Sequence, residues 1–485
     1  MLISFIKIYI KDSSMRLVYL FLLLGTITLN AGLKKLTLNQ ALAMLDENNL
    51  EIKISKYEES MKFYEHQAVK AKSYGSLDLT HMALRSNDAG NVFGFKLQSR
   101  EANFGDFGFS DFLAPMGQAL QSPNGMQMIT QMFSDPKAQQ QLLTLEPKDL
   151  NYPKPRNHFL TKLTYKLPLY TGGMLSEYRT ITKKLYKMSK LDTQKVMSMK
   201  KYELKKTFYD ISLVNNFIAN LNKIRGNIKK LERVIKEMQK EGYAVETDYL
   251  EVDYRLSEVE AMLEEAKLNK KLAYHFLSFL LDTKVDSIIA PKRAPKAPKI
   301  TKDIVEARSL DIAKAKLGLS ITKHAIEVEK AKFKPQVGAF AEYGFADDRF
   351  IPKKIKDKDF WTIGIQAKWN LFNGGGDMAS LEKAKLNYLK VATQVKLAKK
   401  GIWLKASKLR SEIRSLQSRV VSFTKQYRFA NKVYLTYKEK YKLGVVSITD
   451  LLIKQSKQIE MLMKLLKVKN ERNAKILELQ DVING

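Results

Sequence analysis

The chain contains no cysteine, few histidines, few prolines, and far fewer carboxylates than cations. Without thiols there is no disulfide, no thiolate metal site, no cysteine nucleophile and no lipidated N-terminal cysteine. His66, His81, His158, His275 and His324 are scattered, with no pair at metal-ligand spacing, so no metal site and no cofactor are expected. No nucleophile–base arrangement is present either, and an enzyme is not expected. No apolar run reaches 18 residues. Any passage through a membrane must therefore be made as a β-barrel.

The charge that is present is strongly one-sided, with 83 Lys and Arg against 51 Asp and Glu, a net +32. The usual partners of such a chain are nucleic acid or an anionic membrane surface. Here the lysines are spread along helical faces and no compact basic–aromatic motif occurs. A solvated lysine-rich surface is expected, and nucleic acid is not expected as a partner.

Met15-Arg16 precedes an apolar stretch, Leu17 to Leu29, followed by Asn30-Ala31-Gly32. This has the length of a signal-peptide core and is short for a membrane span. Residues 1–31 are expected to be an export signal, although Leu29 stands where a small residue is preferred.

The organising stretch is Trp361 to Gly376, WTIGIQAKWNLFNGGG. Trp361, Ile363, Ile365, Ala367, Trp369 and Leu371 alternate with Thr362, Gln366, Lys368 and Asn370. That pattern reads as a strand with one apolar and one wet face, ended by glycines. The device occurs earlier, where Phe159, Leu163, Tyr165, Leu167 and Leu169 alternate with Lys162, Thr164 and Lys166 before Gly172-Gly173. The glycine pairs Gly172/Gly173 and Gly374/Gly375 lie 202 residues apart. Upstream, Lys70-Ala71-Lys72-Ser73 matches Lys330-Ala331-Lys332-Phe333 at an offset of 260, so the first half carries 58 extra residues.

A long helical pattern follows each glycine pair. In the second, Leu381, Ala384, Tyr388, Val391, Val395, Ala398, Ile402, Ala406, Leu409, Ile413, Leu416 and Val420 step by threes and fours, with a stutter at Ile402–Ala406. In the first, Ile211, Val214, Ile218, Leu221, Ile228, Leu231, Ile235 and Met238 do the same. Rods of about 65 residues span ~100 Å and need coiled-coil partners. Each turns at a matched motif, Gly242-Tyr243-Ala244-Val245-Glu246-Thr247-Asp248 and Gly444-Val445-Val446-Ser447-Ile448-Thr449-Asp450. Glycine stops the outgoing helix, Thr247 or Thr449 can cap the returning one, and the aspartate sits where the helix dipole favours it.

Two structural repeats are expected. The first, 32–285, has strands about 75–86 and 157–170, a loop insertion over 87–156, and helices 174–241 and 246–283. A Lys/Pro linker, 286–299, leads to the second, 300–485, with strands about 335–344 and 360–372 and helices 377–443 and 447–482. At the repeat starts, Asn39 is expected to cap one continuous helix toward Ala71, and Thr301 begins another toward Ala331. The insertion is rich in Gly, Phe, Gln and Met, with a short helix expected over Gly125–Leu145. Met116, Met126, Met128 and Met132 invite a soft-metal reading such as copper(I). The alternative, that they fill gaps on an amphipathic helix, is commoner.

The chain resembles the TolC-like outer-membrane channel family. The opening LTLNQAL with Asn48-Asn49, the signatures LTYKLPLYTGG and AKWNLFNGGG, the long helices and the two Gly-x5-Asp turns carry the resemblance over essentially the whole mature chain. It implies a mixed α/β membrane protein and a homotrimer. Four strands per subunit would close a shared twelve-stranded β-barrel in outer-membrane lipid, and coiled-coil helices would form a tunnel in the periplasm. It implies the exit duct of a tripartite efflux pump or type I secretion system, with a periplasmic adaptor protein and an inner-membrane transporter as partners. Phe159, Trp361 and Trp369 would lie in the aromatic girdles. Asp450, Tyr441 and Asp248 would form the periplasmic entrance and gate, with Tyr441 and Asp248 as a hydrogen-bonded lock between hairpins. Val446 and Ile453 depart from the family pattern, so a single acidic ring and a weaker lock are expected. Simple helix-start chemistry explains both aspartates equally well. The alternative reading is a trimeric coiled-coil surface scaffold without a conducting pore.

Overall fold

The computed structural model describes residues 32–351 and 355–484. The expected export signal lies outside them. The chain forms two compact units, one of residues 61–186 and 318–391, the other of 187–317, 392–484 and the segment before 61.

The first unit is built on one antiparallel sheet in the order β1-β2-β3-β4. The strands are β1 (Ser76–Ser86), β2 (Arg156–Tyr170), β3 (Gln336–Asp347) and β4 (Asp359–Lys368). The register aligns Leu79 with Leu163, Tyr343 and Trp361, and Leu77 with Tyr165, Ala341 and Ile363. Period-two alternation therefore gathers these residues on one face. The other face carries Asp78, Thr164, Glu342 and Thr362 in one row, flanked by Lys162 and Lys166. Lys162 pairs with Glu342 at 2.9 Å. Trp361, Ile363 and Ile365 are each more than 70% exposed, so within one chain the apolar face is uncovered. Both edge strands, β1 and β4, also lack an outer neighbour among the described residues.

Two glycines on the polar face accommodate aromatic rings. Phe340 lies across Gly364, where a Cβ would come within 2.6 Å of the ring, and Phe360 lies 3.0 Å from the same point on Gly344. Ring and glycine oppose each other in the register both times, a device that covers a glycine while keeping the strand pairing.

The strand expected to reach residue 372 ends at Lys368. Trp369 and Leu371 are not paired, and the Trp369 indole N–H donates to the Phe333 carbonyl at 3.1 Å. The insertion is also more ordered than a loop. It contains α3 (Ala89–Gln98), α4 (Phe109–Leu120), α5 (Gly125–Ser134), α6 (Pro136–Leu143) and α7 (Lys148–Asn151). The expected helix over Gly125–Leu145 is two helices, because Asp135 caps α6 and Pro136 occupies its first turn.

The second unit holds helical hairpins. In chain order the remaining helices are α1 (Leu38–Asn48), α2 (Leu50–Ala71), α8 (Met174–Lys240), α9 (Glu246–Leu281), α10 (Lys302–Arg308), α11 (Leu310–Ala331), α12 (Gly376–Lys442) and α13 (Ile448–Asn484). Both α8 and α12 have 67 residues and run without interruption. Their stripes are buried as the spacing requires: Ile211, Leu221, Ile228 and Ile235 in α8, and Ala406, Leu409, Ile413, Leu416 and Val420 in α12. Near the turns, Leu221, Ile228, Val252, Leu256 and Val259 pack with Tyr434, Leu451, Leu452 and Ile459 of the other hairpin. No described helix is long and apolar enough to cross a membrane.

The helices expected to run unbroken toward Ala71 and Ala331 are each broken once, at Asn49 and Ser309. Thr37, not Asn39, caps the first, in a capping box with Gln40. Asn49 then ends α1 and starts α2. Its Oδ1 accepts the Ile52 N–H at 3.0 Å and its Nδ2 donates to the Leu280 carbonyl at 2.8 Å.

Candidate functional site

The hairpin tips are assembled by backbone chemistry that the glycines permit. Gly242 and Gly444 have φ of +75° and +71°, the left-handed region glycine adopts without a Cβ penalty. In the first tip the Gly242 N–H donates to Gln239 O, and Tyr243 N–H to Met238 O at 2.7 Å. In the second, Gly444 N–H donates to Tyr441 O and Val445 N–H to Lys440 O, both at 3.0 Å. These paired bonds satisfy the last carbonyls of each outgoing helix.

The returning helices are capped differently. Ser447 Oγ accepts the Asp450 N–H at 3.0 Å and donates to Asp450 Oδ2 at 2.8 Å. In the first tip a valine, Val245, occupies that place, and Asp248 accepts its N–H at 3.2 Å. The cap position belongs not to Thr247 and Thr449 but to Val245 and Ser447, two residues earlier in each tip. Thr449 is freed to bridge the hairpins, its hydroxyl donating to Glu251 at 2.7 Å. Sequence reading passed over Ser447, Glu251 and this use of Thr449, although Ser447 directly preceding an apolar helical run was the available signal.

Between the tips lies a groove of about 760 Å3 lined by Ile235, Met238, Asp248, Tyr441, Val446 and Leu451 among others. Lys230, Lys438 and Lys442 face it as well. The groove brings Tyr441 and Asp248 to one place. The Tyr441 hydroxyl lies 4.0 Å from Met238 Sδ, while the Asp248 carboxylate is engaged by Val245. Burial, and secondarily the Asp248 charge, push the Tyr441 hydroxyl above its ordinary pKa. Asp450 is exposed on the helix start.

At the other end of the long helices, Gly172, Gly173, Gly374 and Gly375 all have positive φ, from +66° to +94°. They carry the chain from β2 into α8 and from β4 toward α12. Two residues that sequence reading did not single out cap these helices. Thr171 Oγ1 accepts Leu175 N–H at 3.1 Å, and Asn373 Oδ1 accepts Asp377 N–H at 3.3 Å. Thr171 and Asn373 lie at the same 202 spacing as the glycines that follow them.

Phe159 and Trp361 sit near the far end of the sheet and Trp369 just past its near end. Phe159 stacks on His81, and Phe350 meets both rings edge-on, at 5.7 and 5.2 Å between centroids. Trp361 opposes Tyr343. The same far end carries an ion-pair clasp. Glu101 in the insertion contacts both Arg156 at the start of β2 and Lys358 before β4, and Lys358 also reaches Asp347 at 3.0 Å. Burial would raise the Glu101 pKa, but the hydrogen bonds from Lys358 and Arg156 outweigh it and hold the carboxyl below its usual range. Glu101, Asp347 and Asp348 are close enough to share a cation; the ammonium and guanidinium groups already there make this an ion-pair network rather than a metal centre. Met126 and Met128 are exposed on α5.

No family model matches the chain, and no curated protein matches it in sequence. Solved structures do. The Campylobacter jejuni CmeC outer membrane channel superposes with a TM-score of 0.72 at 15% identity, covering 92% of this chain and 85% of that one. The outer membrane protein VceC from Vibrio cholerae gives 0.71 at 12%, with coverage of 92% and 96%. The open state of the Neisseria gonorrhoeae MtrE outer membrane channel gives 0.70 at 12%, with 92% and 89%. Identities this low speak to architecture alone, and the architecture agrees along nearly the full length of each chain: this protein has the TolC-like outer-membrane channel fold.

Proposed function

We propose that the chain is an outer-membrane exit duct of the efflux or type I secretion kind, working as a homotrimer built from two internal repeats. The observation that carries this reading is the four-stranded sheet. One of its faces is apolar and uncovered, the other is polar, both edges are open, and it is joined through glycine turns to helices of 67 residues. Four strands are too few to close a barrel. Three copies joined edge to edge, β4 to β1, give twelve, with the apolar face toward lipid and Lys162, Glu342 and Lys166 toward the lumen. Trp361 and Trp369 are eight residues apart, roughly 26 Å of extended chain at ~3.3 Å per residue, or about 20 Å of height at a barrel tilt of ~40°, against the ~25 Å apolar band flanked by aromatic girdles.

In this reading transport is passive. The sheet supplies a water-filled passage through the outer membrane and the hairpins extend it through the periplasm. The tips meet the adaptor and, through it, an inner-membrane transporter that selects the cargo. Asp450, exposed at the second tip, supplies the acidic ring at the entrance, and Tyr441 and Asp248 in the groove set how readily neighbouring hairpins part. A coiled-coil scaffold without a pore would have no use for a sheet with one lipid-type face.

The test is extraction of outer-membrane fractions followed by gel migration with and without boiling. A heat-modifiable trimer is expected; a monomer in the soluble fraction would remove the reading. Replacing Asp450 with alanine is expected to change cation block of the reconstituted pore, and unchanged single-channel behaviour would remove its entrance role alone.

A further inference from the structure

The insertion between β1 and β2 has an apolar surface without a partner. From Asn103 to Pro147 it has one cation, Lys137, against Asp106, Asp111, Asp135 and Glu146, in a chain of net +32. Helices α4 to α6 and the turn before them expose Phe104, Leu113, Met126, Phe133 and Leu143; Met126 and Leu143 are 72% and 79% exposed. An exposed apolar set on ordered helices marks an interaction surface.

The segment is held in place and does not dangle. The Phe95 ring stacks on His158 of β2 with centroids 4.1 Å apart. Glu101 ties it to Arg156 and Lys358, and the Lys148 N–H donates to Asp111 at 2.9 Å. Its root is Ser86, the end of edge strand β1, at the sheet end opposite the glycine turns.

We infer that a second copy of this chain covers this surface, so that the insertions of the trimer pack on one another as a collar over the extracellular mouth. This rests on the trimeric duct reading, and two observations select the occupant. First, the insertion leaves from β1, the edge that must pair with β4 of the next copy for the sheet to close, so a neighbouring copy stands beside it already. Second, the alternative occupant is the outer surface of the membrane, which is rich in phosphate. Such a surface selects lysine and arginine, which this segment almost lacks while the rest of the chain has them in excess.

The absence of native cysteine makes the test direct. Single-cysteine variants Met126→Cys and Leu143→Cys are made in the full chain, with Lys154→Cys as a control outside the apolar set. In intact outer membranes a bifunctional thiol crosslinker is expected to join copies through the first two and leave the third as monomer on a denaturing gel. Full labelling of Met126→Cys by a membrane-impermeant maleimide without crosslinking would overturn the inference, as would quenching of a probe at that site by brominated lipid. A second variant, with 103–147 replaced by a Gly/Ser turn, is expected to keep the heat-modifiable trimer and raise conductance severalfold; unchanged conductance would also overturn it. Loss of the trimer or of conduction in the unmodified chain would instead strike the duct reading.

Discussion

Two pairs of equivalent segments behave in opposite ways. Where strand passes into helix, Thr171-Gly172-Gly173 and Asn373-Gly374-Gly375 are close copies, with the same φ signs and the same side-chain cap. Where strand passes to strand at the other end, 87–155 and 348–358 share almost nothing. One is charge-poor and helical, the other short and charged. The handover has to deliver a helix in one direction from one strand end, which fixes its backbone angles. The far end only has to reconnect neighbouring strands, and loop closure is nearly indifferent to length, at about 0.6 kcal/mol per doubling. Constraint sits at the glycine turns, and freedom to acquire new structure sits at the far end.

The largest expected effect tests the first pair. A Cβ on Gly172 would lie 2.5 Å from the Ala331 carbonyl oxygen, whereas none would meet an atom within 4 Å at Gly374. Both positions have positive φ, so Gly172→Ala and Gly374→Ala each lose about 1–2 kcal/mol from backbone strain, and only Gly172→Ala adds a clash. The heat-dissociation midpoint of the trimer is expected to fall further for Gly172→Ala; equal falls would break the claim that the first handover is the tighter one.

The next effect separates the two helix breaks. Asn49 makes two hydrogen bonds while 3% exposed, but Ser309 Oγ, equally buried, meets no hydrogen-bond partner among the described residues. Asn49→Ala leaves buried groups unpaired and is expected to cost about 1–3 kcal/mol, with Ser309→Ala near neutral. Comparable losses by thermal unfolding would show that the breaks are equivalent after all.

A smaller effect follows from the clasp. Because the Glu101 pKa is depressed in the folded chain, its contribution is complete above the ordinary glutamate value of about 4.3 and is lost as pH falls through the lower folded value. Protease cleavage within 103–147 is expected to be slow at neutral pH and to accelerate in that acid window. Glu101→Gln is expected to be cleaved faster at neutral pH and to accelerate less in acid, the remaining pH dependence coming from Asp106, which Lys96 also holds below its usual range. The smallest effect is at the tips, where Ser447→Ala is expected to cost about 1 kcal/mol of local stability and Val245→Ala less, read by hydrogen exchange of the first turn.

The contrast also explains what could be read from the chain. Glycine pairs ending alternating runs, and glycine-to-aspartate tips, are signals in which residue type and backbone angle are directly linked, and they located the turns. Asn49 was concealed because Leu45 and Ile52, seven residues apart, keep their helical spacing across the break, so periodicity passed over a residue whose role is to bond Leu280 far along the chain. Trp369 continued the alternation of β4 after its ladder had ended at Gln336–Lys368; alternation records which face a side chain takes, not whether a partner strand is still there. The insertion gave little because breaks at Pro123 and Pro136 leave helices too short to show a period, and Pro115, a residue that normally ends helices, lies inside α4. Its anchors, Glu101 to Arg156 and Phe95 to His158, depend on the sheet already being formed.

The most direct measurement is single-channel recording of the full chain, purified as a trimer and inserted into a planar bilayer. The duct reading predicts discrete, long-lived conductance steps that an Asp450→Ala substitution alters. A trimer that inserts with its sheet intact and passes no ionic current would contradict it.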